Sequence, residues 1–234
     1  KQGGFARSAL QVMSGTIMAQ GLLILATPLL TRLYAPDDFG ALAVFAAIVT
    51  MTGSIANLRL ETAIPIDHDD QDAVATFKAA LLACVLTTAL VALLLVFFGD
   101  LLVEAVQIQS LKPLLWAIPI GTASMGLYNA ISLFGVRKRS YQEVGRSKLA
   151  QSIFTVLWQG LHGLLQASPA GLILGQALGQ AAGALSFTKS FTRQDRAAVR
   201  KVSLGEACAA FWRHRRFALF TTPSILLNNA SKML

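Results

Sequence analysis

Charged residues are scarce in this chain of 234 residues: Asp, Glu, Lys and Arg make up 14% of it, whereas an ordinary soluble domain contains about 25%. Hydrophobic residues account for 54%, and the mean hydropathy is +0.57. The few charges lie in clusters that alternate with apolar runs of roughly 18 to 25 residues, the length that crosses a bilayer core. This distribution excludes an ordinary soluble domain and indicates a membrane-embedded protein.

Cysteine is also scarce, with two residues in the chain. Cys84 lies in an apolar run and Cys208 in a basic segment, and neither has a partner at metal-ligand spacing. The pair therefore predicts neither a disulfide framework nor a metal site. The sequence also lacks a Ser-His-Asp set and a phosphate-binding loop, so we expect no catalytic residues, no metal and no cofactor.

The net charge of +8 does not indicate a nucleic-acid-binding protein. Such proteins carry their Lys and Arg as a patch on a soluble fold, whereas here these residues lie between apolar runs. In membrane proteins, Lys and Arg accumulate in the loops on the cytoplasmic side. We therefore expect no nucleic-acid partner and interpret the charge as a signal of membrane topology.

Six apolar runs have the length and composition of membrane-spanning helices. They are residues 9–31, 41–58, 79–98, 114–134, 149–166 and 170–187. The sequence thus predicts an all-α membrane protein in three parts. These are a lobe of about six transmembrane helices at 1–187, a basic loop at 188–216, and the start of a truncated seventh transmembrane helix at 217–234.

The basic residues are distributed very unevenly between the two ends of these spans. Of the 20 Lys and Arg, 17 lie in the first segment of the chain or in the loops after the second, fourth and sixth spans. The other loops contain Arg32 and Lys112, and Lys232 lies in the seventh run. By the positive-inside rule, this asymmetry predicts a cytoplasmic N-terminus.

The basic loop contains a short sequence pattern of its own. Ser203 and Glu206 have the spacing of a capping box, which predicts the start of a helix. The residues that would give this helix an apolar side are Leu204, Ala207, Phe211 and Trp212. Together with the arginines that follow, they fit an amphipathic helix on anionic membrane lipids. A solvated connector is the alternative, and the sequence leaves both open.

Polar residues recur at helical spacing in three spans, so each set lies on one face of its helix. The sets are Thr16, Gln20, Thr27 and Thr31; Thr50, Ser54, Asn57 and Glu61; and Ser152, Thr155, Gln159, His162 and Gln166. Unpaired polar groups cost several kcal/mol in hydrocarbon. These faces therefore meet either other helices, which they would hold together by hydrogen bonds, or a shared aqueous cavity.

The sixth span has a glycine at every fourth residue: Gly171, Gly175, Gly179 and Gly183. Such a row exposes bare backbone along one face of the helix, which lets a neighbouring helix approach closely. We therefore expect this face to serve helix packing. A sliding surface for conformational change is the alternative interpretation.

Three segments of the chain carry a family resemblance. Residues 29–40 read LLTRLYAPDDFG, residues 58–65 read LRLETAIP, and residues 216–228 read RFALFTTPSILLN. In order and spacing, these segments resemble the N-terminal half of bacterial polysaccharide transporters. That family is the O-antigen and exopolysaccharide flippase branch of the multidrug/oligosaccharidyl-lipid/polysaccharide flippase superfamily.

The resemblance implies a fold and an activity. Members of the family have 12 or 14 helices in two lobes around a central cavity. They move undecaprenyl-pyrophosphate-linked oligosaccharide from the inner to the outer leaflet of the bacterial inner membrane by alternating access. This chain would supply one lobe and the start of the next. The resemblance therefore implies a transporter rather than an enzyme, with polysaccharide polymerase and chain-length machinery as partners.

The resemblance also suggests site residues. Arg59 is the first candidate for contact with pyrophosphate, because a guanidinium can grip phosphate through two parallel hydrogen bonds, and Arg32 is the second. Further candidates are Asn57 and Gln159 for substrate contact and Glu61 and His162 for ion coupling. The alternatives are that Arg59 is an anchor at the membrane interface and that His162 is a neutral core residue.

Three other functions compete with the flippase. A drug/cation antiporter of the same superfamily would need acidic residues inside the spans, whereas here nearly all carboxylates lie in loops or at helix ends. A membrane-bound polysaccharide polymerase or ligase would need a large outer loop with catalytic residues, and the predicted outer loops are short. A scaffold that recruits partners through the basic loop is the third.

Overall fold

The computed structural model describes residues 2–188, 191 and 193–231, and the side chains among them from residue 13 onward except that of residue 230. Parts of the predicted basic loop (189, 190 and 192) and of the predicted seventh helix (232–234) lie outside the described residues. Within the described part, the chain is α-helical and contains no strand. The predicted all-α fold is therefore confirmed, while the division into three parts stays a prediction.

The described residues form nine α-helices, joined by short 3₁₀ turns and, before the last helix, a π turn. The helices are α1 (Gln2–Leu33), α2 (Pro36–Ile55), α3 (Asp70–Val106), α4 (Ala117–Arg137), α5 (Tyr141–Leu165), α6 (Pro169–Thr188), α7 (Arg193–Lys201), α8 (Leu204–Arg213) and α9 (Thr222–Ser231). Helices α2, α4 and α6 end where α3 and α5 begin. We call this end of the bundle the basic end, because most Lys and Arg lie there.

Five of the described helices are long and apolar enough to cross a membrane: α1 from Met13 onward, α2, α3, α4 and α6. The chain is therefore a multi-pass membrane protein. The fifth predicted span corresponds to α5. This helix is not apolar enough to be counted among the five, because its first turns carry charges and one of its faces is polar. Since α5 packs along α1 and α6, neighbouring helices cover much of its surface, and that surface need not suit lipid.

Helix α3 is much longer than the predicted span. It has 37 residues and is about 55 Å long, whereas the hydrocarbon core is about 30 Å thick. It begins at Asp70, while the apolar run begins at residue 79. Its first turns therefore extend beyond the membrane at the basic end, and they carry Asp70 and Asp72.

The core of the bundle has two main clusters. One joins α2, α4 and α6 through Phe45, Ile118 and Ile173. The other lies at the basic end, where Phe191 stacks on Phe134 with ring centroids 5.2 Å apart. The outer surfaces of α1, α3 and α5 expose large apolar side chains, as expected where a helix contacts lipid.

The segment 193–213, which contains α7 and α8, is here called the linker. The predicted capping box is present: Ser203 Oγ accepts a hydrogen bond from the backbone N–H of Glu206, whose carboxylate accepts one from the Ser203 N–H. The predicted apolar side of this helix divides, because Ala207 and Phe211 pack with α3 residues whereas Trp212 is exposed. Helix α8 thus packs against α3 through its alanines and Phe211. Helix α7 was not predicted from the sequence.

Candidate functional site

The first candidate site lies where the chain leaves α2 at the basic end. Leu58 and Arg59 have φ values of 50° and 62°, in the left-handed region that residues other than glycine rarely adopt. A 3₁₀ turn over Leu60–Thr62 follows. This reversal directs Leu60 and Glu61 into the protein, where their exposed fractions are 0% and 1%.

An ion pair joins two of the predicted site residues in this turn. Arg59 Nη1 lies 3.1 Å from Glu61 Oε1, and the Arg59 side chain keeps 23% of its surface exposed. Asn57 Nδ2 donates a hydrogen bond to the carbonyl oxygen of Gly126 at 2.8 Å, which ties the turn to α4. Among the described residues, Arg59 Nε, Glu61 Oε2 and Asn57 Oδ1 are buried without a hydrogen-bond partner.

Burial and the neighbouring groups act in opposite directions on the pKa of the Glu61 carboxyl group. Burial raises the pKa of Glu61 above its ordinary range. The positive charge of Arg59, a backbone hydrogen bond and the Asn57 side chain act in the opposite direction and lower the pKa. The site thus combines a partly exposed cation with a buried carboxyl group that could bind and release a proton.

Arg32 does not belong to this site. Arg32 precedes α2 and Arg59 follows it, so the 20 residues of the helix place the two arginines about 30 Å apart. The side chain of Arg32 is exposed at the opposite end of the bundle. The two predicted phosphate contacts therefore cannot bind one phosphate group together.

Gln159 takes part in helix packing. Its side-chain Nε2 donates a hydrogen bond to the backbone carbonyl oxygen of Leu172 at 2.9 Å. Its backbone carbonyl oxygen accepts a hydrogen bond from Tyr34 Oη at 2.6 Å. His162 lies against Gly171, and its Nδ1 is buried without a hydrogen-bond partner among the described residues. The structure places both residues between α5, α6 and the end of α1, away from Arg59.

The polar face of α5 lies against the glycine row of α6. A methyl group on Gly175 would come 2.5 Å from Gln159 Cγ, and one on Gly179 would overlap Thr155 Oγ1. Thr155 and Gln159 are both buried. Thr155 and Gln159 therefore fill the space that the glycines leave, which is the packing arrangement rather than a cavity, whereas Ser152 of the same stripe lines the cleft described next.

A second candidate site is a cleft of about 250 Å³ between α1, α4, α5 and α6, here called the polar cleft. Its polar lining includes Gln20, Tyr128, Asn129, Lys148, Gln151 and Gln180. Sequence reasoning placed Gln20 in a stripe, counted Lys148 only as a topological charge and missed the others. Because Asn129, Gln151 and Gln180 each lie on a different helix, none forms a stripe within one span. The sequence could have indicated the cleft only through the similar distances of these residues from the basic ends of their helices.

Comparison with protein families identifies the chain. A family model described as polysaccharide biosynthesis protein matches residues 29–234. The chain belongs to this family. No curated protein and no solved structure matches it. The resemblance of its three segments to polysaccharide transporters is confirmed, and the chain has a role in polysaccharide biosynthesis.

Proposed function

We propose that this polysaccharide biosynthesis protein moves undecaprenyl-pyrophosphate-linked oligosaccharide across the bacterial inner membrane. The chain acts as one lobe of an alternating-access flippase and neither makes nor breaks a bond in the substrate. The observation that carries this proposal is the turn after α2. There a buried carboxylate holds a partly exposed cation at the end of a membrane helix, in a family that serves polysaccharide synthesis.

The chemistry of the substrate requires such a cation. A pyrophosphate headgroup brings about two negative charges, and removing them from water costs more free energy than hydroxyl contacts return. Arg59 Nη1 pairs with Glu61, and 23% of the surface of the Arg59 side chain stays exposed. The guanidinium can therefore stay anchored to Glu61 while it binds a phosphate oxygen.

The basic end faces the cytoplasm in this proposal, since 17 of the 20 Lys and Arg belong to segments at that end. The guanidinium carbon of Arg215 lies 5.7 Å from the ring centroid of Trp212, in a cation–π contact beside the exposed face of α8. This basic and aromatic surface suits anionic lipid headgroups. Polymerase and chain-length machinery would act on the product at the other side. A proton-coupled drug antiporter is the second candidate function, favoured by the buried carboxyl group of Glu61.

The test compares four variants of the full-length protein in a strain that lacks its own copy, with surface polysaccharide measured per unit of membrane protein. A loss of export in Arg59→Ala alone would have two possible causes, because the substitution also leaves the Glu61 carboxylate buried without its cation. The double variant Arg59→Ala/Glu61→Gln removes that penalty, and Glu61→Gln alone is its control. We expect Arg59→Lys to retain part of the export, since it keeps the charge, and the double variant to export far less than Glu61→Gln.

Two results would decide against this role of Arg59. If the double variant exports as much as Glu61→Gln, then Arg59 serves only to neutralise the buried carboxylate. If Arg59→Ala exports normally at wild-type abundance, then Arg59 is an anchor at the membrane interface.

A further inference from the structure

The polar cleft lies inside the predicted membrane, near the basic end. Asn129 precedes the end of α4 by eight residues, and Gln180 precedes the end of α6 by eight residues. At 1.5 Å per residue, both lie about 12 Å from the end of the bundle. Lys148 is the eighth residue of α5, which begins at the same end. A polar molecule that enters from this end would therefore reach the cleft after about 12 Å.

Several polar side chains of this cleft take no part in hydrogen bonds between the helices, although Tyr128 Oη lies 3.4 Å from Ser147 Oγ. Gln20, Asn129, Lys148 and Gln151 make no side-chain hydrogen bond or ion pair among the described residues, and Gln180 Oε1 is buried without a partner there. The contrast is with the α5–α6 contact, where the Gln159 amide is bonded to backbone. Since polar groups at this depth are costly when unpaired, the cleft is suited to water or a polar ligand.

The chemistry of the lining selects an anionic ligand with many hydroxyl groups. Lys148 supplies a positive charge, and no Asp or Glu lines the cleft among the described residues. The carboxamides of Gln20, Asn129 and Gln151 each offer donors and an acceptor, which matches sugar hydroxyls. The volume of about 250 Å³ is just below that of pockets for drug-sized ligands. It suits one sugar phosphate and is too small for an oligosaccharide.

We propose that the polar cleft binds the sugar-phosphate portion of the lipid-linked saccharide, with Lys148 on the phosphate and the carboxamides on the sugar. This inference rests on the proposed function and adds a site that is separate from Arg59. The phosphate of the lipid carrier and free inorganic phosphate share the chemistry that Lys148 recognises. The carboxamides recognise the sugar. They therefore distinguish a sugar phosphate both from the phosphate of the lipid carrier alone and from inorganic phosphate.

The test is a thermal-shift titration of the purified full-length protein in detergent with four probes: a hexose 1-phosphate, inorganic phosphate, the free hexose and a polyprenyl phosphate. A ligand that binds the folded state raises the melting temperature. The wild type should respond most strongly to the hexose 1-phosphate. Lys148→Ala should weaken its binding at least tenfold, and Asn129→Ala should reduce the preference for the sugar phosphate over phosphate. Lys112→Ala is the matched control, because Lys112 pairs with Asp100 at the opposite end and should respond like the wild type.

Three results would overturn the proposal: a wild type that responds to none of the probes, a wild type that responds equally to the hexose and its 1-phosphate, or a Lys148→Ala variant that responds like the wild type. The outcome is separable from that of the proposed function. If binding depends on Lys148 but surface polysaccharide does not depend on the protein, then the cleft site stands and the flippase function fails. The reverse pattern removes the cleft site alone.

Discussion

At the scale of single residues, Gly179 marks one of the closest approaches between two helices. A methyl group there would overlap Thr155 Oγ1 on α5, whereas a methyl group on Gly160, in α5 itself, would meet nothing within 4 Å. Overpacking of this kind costs about 1 to 3 kcal/mol. In an open helical position, exchanging glycine for alanine is instead favourable by about 1 kcal/mol.

These two glycines give a matched pair of variants. We expect Gly179→Ala to lower the free energy of unfolding by about 1 to 3 kcal/mol and Gly160→Ala to leave it unchanged or raise it. Thermal unfolding in detergent measures both. Equal stability of the two variants would show that the glycine row of α6 is not packed against α5.

At the scale of secondary-structure elements, the linker and His214, which follows it, are attached to the bundle by ion pairs at the basic end. Arg213 Nη1 lies 2.7 Å from Asp72 Oδ1, and His214 Nε2 lies 2.7 Å from Asp67 Oδ1. Lys138 Nζ lies 3.2 Å from Asp195 Oδ1 on α7. Acidic residues in the first turn of α3 and in the connection before it therefore hold the segment that leads into α9.

The pair between Arg213 and Asp72 can be tested by exchanging its charges. Both side chains are partly exposed, at 46% and 36%, so the pair should contribute only about 0.2 to 1 kcal/mol. We expect Asp72→Arg and Arg213→Asp each to speed chymotrypsin cleavage of the linker in detergent by about two- to fivefold. The exchanged double variant should restore the slower cleavage.

Asp69→Arg controls for this experiment. It makes the same charge change beside the first turn of α3, but Asp69 forms no ion pair among the described residues. Cleavage as fast in Asp69→Arg as in Asp72→Arg would assign the effect to the helix terminus. Failure of the double variant to recover would show that the two side chains are not coupled.

The elements also show what the sequence could predict. Apolar runs predicted α1 to α6, and the spacing of Ser203 and Glu206 predicted the start of α8, because both signals are local. The neighbour that each face meets is not local. The stripe around Gln159 was equally compatible with packing and with a cavity, and only the position of α6 decides between them.

The polar cleft combines residues from four helices, so no single stretch of sequence contains it. The reversal at Arg59 was likewise hidden, because neither Leu58 nor Arg59 is a residue type that favours positive φ.

At the scale of the whole molecule, the uneven distribution of Lys and Arg predicts the orientation in the membrane. A reporter that is active only in the cytoplasm should work when fused after Arg139 or Arg200, which lie at the basic end. It should fail after Pro36 or Ser168, which lie at the opposite end. The reverse pattern of activities would contradict a cytoplasmic N-terminus.

The central claim is that the protein transfers a lipid-linked saccharide between leaflets, and reconstitution of the full-length protein in liposomes tests it most directly. The liposomes contain a fluorescent lipid-linked oligosaccharide, and a membrane-impermeant quencher added outside reports the fraction in the outer leaflet. If the claim is right, the quenched fraction rises from about half toward completion with wild-type protein, and much more slowly with Arg59→Ala/Glu61→Gln. A quenched fraction that stays at the level of protein-free liposomes, with folded wild-type protein present, would contradict it.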